Sequence, residues 1–372
     1  MKKVVLNAAA LFVGALAFAQ SNNSVVLQQG NLNGSNVSQA GMTNESDVFQ
    51  NGNRNNALVD QIGTSNDSDV DQLGNRNQFR VTQDGVTNKA EVLQQGNRNK
   101  GGAPSFFWGT RQIGTDNYSR TRSIGNDNNA GTNQQGVDNN ADIHQVGNGN
   151  IANSGNFGIQ QIGDINKALV EQFGNGNFAT TFQTGEDNQF RTTQQGNSNS
   201  ATVVQTGDRN RGGSPFTWGI NQVGNSNTAT SSSVGDDNNS GTGQYGDFNT
   251  AAIDQVGDRN NANGGFFGNY QVGDGNTTFI GQYGDDNYAH NNQQGDDNDA
   301  LTSQTGNDHD SETFQDGDLN DSDVLQNGFE QFSRVFQNGN SNTSMVTQSG
   351  NNHNSLVTQN GNGNGSVVTQ SN

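Results

Sequence analysis

The chain has 372 residues, of which 28% are hydrophobic and 14% charged, with a formal net charge of −19 and no cysteine. So acidic a chain is a poor partner for nucleic acid, the missing cysteines exclude a disulfide scaffold, and so little apolar material would ordinarily mean disorder. Disorder is set aside by the fixed eleven-residue phase that runs through most of the sequence, because a chain without structure has no reason to keep one.

Residues 1–19 stand apart. Lys2 and Lys3 precede an apolar run from Val4 to Phe18, and Ala17-Phe18-Ala19 is a small-residue cleavage signal before Gln20. The pattern predicts a secretory signal peptide, its apolar stretch being short for a membrane anchor, and hence an exported mature chain of residues 20–372.

The repeat begins at once. Gln28, Gln39, Gln50, Gln61, Gln72, Gln83 and Gln94 are each eleven residues apart, and the series resumes at Gln112, Gln161, Gln222 and Gln271 before ending at Gln370. Of 30 such slots 28 hold Gln, Ser123 and Ser233 filling the others, and Gly follows two places later in all 29 units with room for it. Fidelity of that order makes the repeat, and not any local motif, the unit of interpretation. In the unit that opens at Gln50, Gly52 stands two places in, Asn55 five, Ala57 seven, Val59 nine and Gln61 eleven; Gln145, Gly147, Asn150 and Ala152 repeat the pattern. Alternating offsets put Asn, Ala, Val and Gln on one face of a strand, with Asn56, Leu58 and Asp60 on the other. The Gly falls in the turn, where a missing Cβ permits a left-handed or closely approached backbone. An eleven-residue period also suits a right-handed helical supercoil, but a Gly in every unit and the scarcity of Leu and Glu exclude it.

One such strand buries almost nothing, so the units must stack. Two per coil predict an all-β fold, a two-sheet β-solenoid (β-helix) of about 15 coils and roughly 70 Å, with strands ~4.8 Å apart. Inward Gln and Asn would be costly alone. Stacked on their own kind, each amide has donors and acceptors for the coils above and below.

Insertions interrupt the phase near 100–111, 153–160, 211–221 and 263–270, and the first and third carry Phe106 with Trp108 and Phe216 with Trp218. The repeat does not require these aromatics, which makes them candidate lateral contacts. The insertions pair off as a duplication, as do Asn77-Gln78-Phe79-Arg80 with Asn188-Gln189-Phe190-Arg191 and Ser123 with Ser233. The Gln94 and Gln205 units differ by nine, an odd count, so with two units per coil their insertions should leave opposite sides of the rod. The last strand, with Asn364, Ser366, Val368 and Gln370 facing inward, is followed only by Ser371 and Asn372, and is expected to present an unpaired edge as an assembly tip.

The spacing of Gln50, Gly52, Asn55, Ala57 and Gln61, and again of Gln145, Gly147, Asn150 and Ala152, resembles that of curlins, the subunits of bacterial curli amyloid fibres. The resemblance covers essentially the whole mature chain. It implies an extracellular, cell-surface β-solenoid that polymerises into a biofilm matrix fibre and serves adhesion. Its implied partners are further copies of itself, a nucleating curlin-like subunit and an outer-membrane secretion apparatus. The chain departs from the family's usual major subunit in having several times as many coils, and in lacking the export segment that family members carry between cleavage site and first repeat.

No catalytic, cofactor or metal site is expected. Of the four histidines, His309 and His353 replace Asn in the inward slot and read as packed, hydrogen-bonded side chains. Asp-rich turns such as Gly235-Asp236-Asp237-Asn238 have oxygens suited to Ca²⁺, but the period is not that of calcium-binding β-helices, and Arg54, Arg76, Arg98 and Arg209 occupy the same kind of turn. The reading from another functional class is a monomeric β-solenoid that binds ice or glycan. Such a binder needs one flat, regular outward face, whereas Asn56-Leu58-Asp60 and Asp67-Asp69-Asp71 are irregular.

Overall fold

The computed structural model describes residues 21–101, 109–153, 157–212, 219–263 and 267–372. The signal peptide predicted at 1–19 and the aromatic residues Phe106, Trp108, Phe216 and Trp218 lie outside them. The described residues form two parallel sheets of 17 strands each and no helix, stacked as a β-solenoid of about 15 turns. Successive units alternate between the sheets: Asn23–Gln29 opens one, here the odd sheet, and Gly34–Met42 opens the other, the even sheet.

Each strand pairs with the strand one full coil away. Asn56–Thr64 lies against Gln78–Val86 with Ala57 opposite Phe79, Val59 opposite Val81 and Gln61 opposite Gln83. The offset is 22 residues where no insertion falls and 29 across the first insertion, where Gln83 still meets Gln112. The insertions are therefore looped out without shifting the phase. A slip of one residue would turn every inward amide to solvent, which is why the phase survives the extra length.

The interior is narrow and half polar. Ala57, Val59, Ala90 and Ala152 are fully buried, as are Gln50, Asn55, Gln72 and Asn77 beside them. Every turn is closed by two special residues. The Gly takes a φ that side chains rarely adopt, as at Gly52 (132°) and Gly74 (119°). It also packs against its counterpart in the next coil: a Cβ on Gly52 would stand 1.8 Å from the carbonyl oxygen of Gly74. Two places on comes a left-handed residue that is mostly not Gly, such as Arg54 (60°), Arg76 (60°) or Asp237 (57°). Its side chain points to water, so its identity is free although its conformation costs about 1–2 kcal/mol.

The insertions split strands, and their described flanks obey the parity expected from the sequence. The first two leave the even sheet, beside Thr110–Thr115 and between Ile151–Ala152 and Ile159–Ile162. The last two leave the odd sheet, beside Ile220–Val223 and between Asn261–Ala262 and Asn269–Val272. The repeated Phe also finds its reason here. Phe79 occupies the slot usually held by Ala or Ser, and its buried ring lies between Gly101 and Gly109, the two ends of the first insertion. A Cβ on Gly109 would meet the Phe79 ring at 2.3 Å, and one on Gly219 would meet the Phe190 ring at 2.2 Å. Each Phe fills the gap that the insertion opens in the neighbouring strand.

The two kinds of turn Gly should respond differently to a methyl group. Gly74→Ala meets both the forbidden φ and a carbonyl at 2.0 Å, and is expected to destabilise by about 3 kcal/mol or more. Gly149→Ala, at φ +63° with nothing within 4 Å, should cost less than about 1.5 kcal/mol. Guanidinium unfolding midpoints of the two variants check the order.

Candidate functional site

The inward Gln and Asn form ladders that run in opposite senses, Gln donating toward the C-terminal end and Asn back toward the N-terminal end. Gln50 donates through Nε2 to Oε1 of Gln72 at 2.8 Å, and Gln72 to Gln94 at 2.8 Å, each toward the C-terminal end. On the facing sheet Gln61 donates to Gln83 at 2.8 Å, and further along the sheet of Gln50, Gln145 donates to Gln172 at 2.9 Å. The second amide hydrogen crosses to the other sheet, from Gln50 to the Gly34 carbonyl at 2.9 Å and from Gln61 to the Glu45 carbonyl at 2.8 Å. A Gln in this slot thus fastens its coil to the next and its sheet to the opposite one.

Asn acts as a clasp for the turn. Its Oδ1 accepts the backbone N–H of the Asn one coil on, as Asn55 does from Asn77 at 3.0 Å and Asn150 from Asn177 at 3.1 Å. Its Nδ2 donates to a Gly carbonyl in that same coil, Asn55 to Gly74 and Asn150 to Gly174, both at 2.8 Å. Gly52 and Gly147 receive the same bond from Asn33 at 3.0 Å and Asn128 at 2.8 Å. Gln, Gly and Asn of the repeat are therefore one hydrogen-bonded unit. Ala57 and Ala152 are the small buried spacers between the sheets. The sequence pattern contained the clasp, since Asn and Gly keep a constant offset, but direction of donation is visible only in three dimensions.

Two positions interrupt the Gln ladder and three, His309, Gln331 and His353, replace the Asn of the clasp. Ser123 and Ser233 are too short to continue it as amides, yet each passes a hydroxyl bond onward, to Gln145 at 3.1 Å and Gln255 at 3.0 Å. His309 keeps the clasp: Nδ1 accepts the Gln331 N–H at 3.4 Å and Nε2 donates to the Thr305 carbonyl at 3.1 Å. That geometry requires the neutral ring, and burial holds its pKa below the ordinary value. His353, near the open end, bonds the Ser349 carbonyl at 3.0 Å.

On the outward face of the odd sheet, Asp47, Asp69 and Glu91 stack in register. Desolvation, followed by the fields of Asp71, Asp47, Asp67 and Glu91, pushes the Asp69 carboxyl up to about 6. Among the described residues no group of His, Cys, Asp and Glu is arranged to hold a metal ion.

The ladders end on unpaired edges. Among the described residues, Asn23–Gln29 and Gly34–Met42 at one end have a neighbour on one side only, and Asn354–Asn360 and Gly365–Ser371 at the other likewise. Val26 is 45% exposed, although Val48, its counterpart one coil in, is 2% exposed. Of the predicted tip residues, Ser366, Val368 and Gln370 lie opposite Ser344, Val346 and Gln348, and Asn364 donates to Asn342 at 2.8 Å. Gln359 and Gln370 accept from the coil behind and donate only to backbone carbonyls. Gln28 and Gln39 donate inward, and among the described residues nothing donates to their side-chain oxygens. In the Gln ladders the C-terminal end thus offers amide donors and the N-terminal end amide acceptors.

Fold and ladders together define a β-solenoid whose coils are joined by repeated amides, a structural class rather than a catalytic one. The curlin associated repeat matches residues 43–74, 185–211, 317–350 and 339–371. Four curlin repeats thus lie along the chain, consistent with a curlin family protein. No curated protein matches the chain.

The acidic stack makes a pH prediction. A folded pKa raised from 3.8 to about 6 means that the folded state binds the proton more tightly than the unfolded chain. The charged stack therefore weakens the fold above about pH 6 and is relieved as pH falls through that value. Asp69→Asn should raise the unfolding midpoint at neutral pH and shrink that gain on acidification. Denaturation of parent and variant across about pH 4 to 7 measures the difference.

Proposed function

We propose that the chain is a secreted structural subunit that self-assembles end to end into extracellular amyloid-type fibres of a cell-surface matrix, after removal of residues 1–19. The observation that carries this reading is the match between the two ends. The final coil closes on an odd-sheet strand, Asn354–Asn360, and an even-sheet strand, Gly365–Ser371. A second copy arriving with Asn23–Gln29 and Gly34–Met42 continues both sheets without a half-coil step. In the even sheet Ser35, Val37 and Gln39 would meet Ser366, Val368 and Gln370, like on like. In the odd sheet Ser24, Val26 and Gln28 would meet Ser355, Val357 and Gln359.

Ladder polarity selects this arrangement. Gln359 and Gln370 bring donors to the acceptors of Gln28 and Gln39, whereas two like ends would oppose donor to donor. Fibres built so are polar, with parallel strands throughout. Self-assembly is supported by the curlin repeats. A nucleating subunit of similar repeat and an outer-membrane secretion apparatus belong to the same reading as partners, and biofilm adhesion as its use.

The test lies in the tip amides. Gln359→Ala or Gln370→Ala leaves partner amides unsatisfied at about 1–3 kcal/mol each, and should slow polymerisation markedly. Thr358→Ala, on the outward face, should not. Thioflavin-T growth curves that coincide for the inward and outward variants would overturn the proposal.

A further inference from the structure

We infer that two rods pair side by side and antiparallel, along the edge formed by the turns that lead from the odd to the even sheet. This goes beyond end-to-end growth and does not depend on it, since the residues concerned lie in the turns and not in the terminal strands.

That edge has its own hydrogen-bonded ladder, one residue per coil. It runs from Asn31 through Asn53, Asn75 and Asn97 to Asn225, continues as Asp247, Asp274, Asp296 and Asp318, and returns to Asn340 and Asn362. Asn serves this ladder better than Asp. Asn53 and Asn75 use both backbone and side-chain N–H groups toward the next Oδ1, whereas in the run from Asp247 to Asp318 only the backbone N–H bonds onward. Four stacked carboxylates are thus a cost the ladder does not explain. None of them has a basic side chain at ion-pair distance among the described residues.

The other end of the edge is the counterpart. Arg54 and Arg76 line a shallow open groove of about 510 Å³ with Leu32 and the three Asn rungs. Turn arginines elsewhere are bound to the Asp one coil on: Arg209 to Asp237 at 2.8 Å, Arg259 to Asp286 at 2.7 Å, and Arg98 to Asp127 at 2.6 Å. Arg54 and Arg76 have no carboxylate at ion-pair distance among the described residues, and their side chains are exposed.

Counted along the ladder, Arg54 and Arg76 belong to the second and third coils, and Asp296 and Asp274 to the twelfth and eleventh. An antiparallel partner centred on the seventh coil sets Arg54 against Asp296 and Asp297, and Arg76 against Asp274. The two-fold axis repeats both contacts, as a self-complementary interface requires. The same alignment brings Leu32 of the first coil to Leu319 of the thirteenth, exposed by 77% and 58%. At the centre stand Gly149, Gly176 and Ser198, small enough for close approach. Both ladders rise by the same ~4.8 Å strand spacing, so the opposed charges stay matched from coil to coil.

Charge exchange tests the pairing. One variant carries Arg54→Asp and Arg76→Asp; the other copies the basic turns onto the acidic end with Asp274→Asn, Gly275→Arg, Asp296→Asn and Asp297→Arg. All new residues enter turn positions that already hold the same types elsewhere in the chain. Each variant alone should lose side-by-side pairing, by sedimentation of soluble chain and by fibre width in electron microscopy, while a mixture of the two should regain it. The parent pairs should come apart when salt shortens the Debye length to about 3 Å. Orientation is read by mixing Leu32→Cys chain with Leu319→Cys chain under mild oxidation, in a sequence with no other cysteine: antiparallel pairs give the mixed disulfide. Pairing by either variant alone, failure of the mixture to pair, or cross-linking of Leu32→Cys chain only to itself would overturn the inference. Loss of fibres with pairing intact would instead count against the end-to-end proposal. If either variant fails to fold, Arg54→Gln with Arg76→Gln must still lose pairing.

Discussion

A primary amide accepts from one neighbour and donates to the next in a line, with a second N–H left for another partner, and this rod is built on that property. Once Gln50 donates to Gln72 and Gln72 to Gln94, every coil must return the same residue to the same height. The 22-residue offset follows from that requirement, and with it the looping-out of each insertion. Buried polar groups are ordinarily a liability. Here both hydrogens of Gln50 and of Gln61 are satisfied, so the narrow interior holds together with little more than Ala, Val and Ser between the sheets.

The turn sets a second constraint, and it is steric. Gly52 sits where a Cβ would overlap the next coil, and the carbonyl of that next Gly is what Asn55 grips. Close packing and hydrogen bonding therefore select the same residue independently. Two places on the constraint relaxes to one of conformation alone, and Arg54, Asp237, Ser198 and Phe248 all occupy the left-handed position. Charge can vary there without disturbing the ladders. The rod consequently has an interior that is nearly invariant and edges on which a charge pattern can be written coil by coil.

Most of the fold was legible in the sequence because its period is rigid. Strand, turn, inward face and two units per coil could be argued from Gln50 to Gln61 alone, and the odd spacing of Gln94 and Gln205 gave the opposite sheets of the insertions. Three things were not legible. The opposite senses of the Gln and Asn ladders depend on which way each amide faces, which composition does not record. The left-handed residue after each Gly escaped notice because its side chains follow no type. The repeated Phe79 and Phe190 were visible as a duplication, but their role required knowing that each insertion's glycine ends lie against the adjoining coil.

These features bear on how such a rod tolerates additions. An insertion in a stacked structure removes backbone partners and opens a void, and both losses are met locally. Gly101 donates to the Gln78 carbonyl at 2.9 Å and Gly109 to the Arg80 carbonyl at 3.1 Å, while the Phe79 ring fills the space between them. On the other side Gly131 accepts from both Gly158 and Ile159, at 2.8 and 3.2 Å, so one uninserted coil bridges the two insertions of the even sheet; Gly241 does the same for Gly268 and Asn269 at 2.8 and 3.1 Å. Because both repairs use only residues of the adjoining coils, an insertion disturbs its neighbours and no further. The Gln ladder runs past it unbroken, from Gln83 to Gln112 and from Gln112 to Gln134, at 2.9 Å each. Coil stacking is thus a nearest-neighbour property, and the faces can acquire loops without altering the ends on which another copy would have to dock.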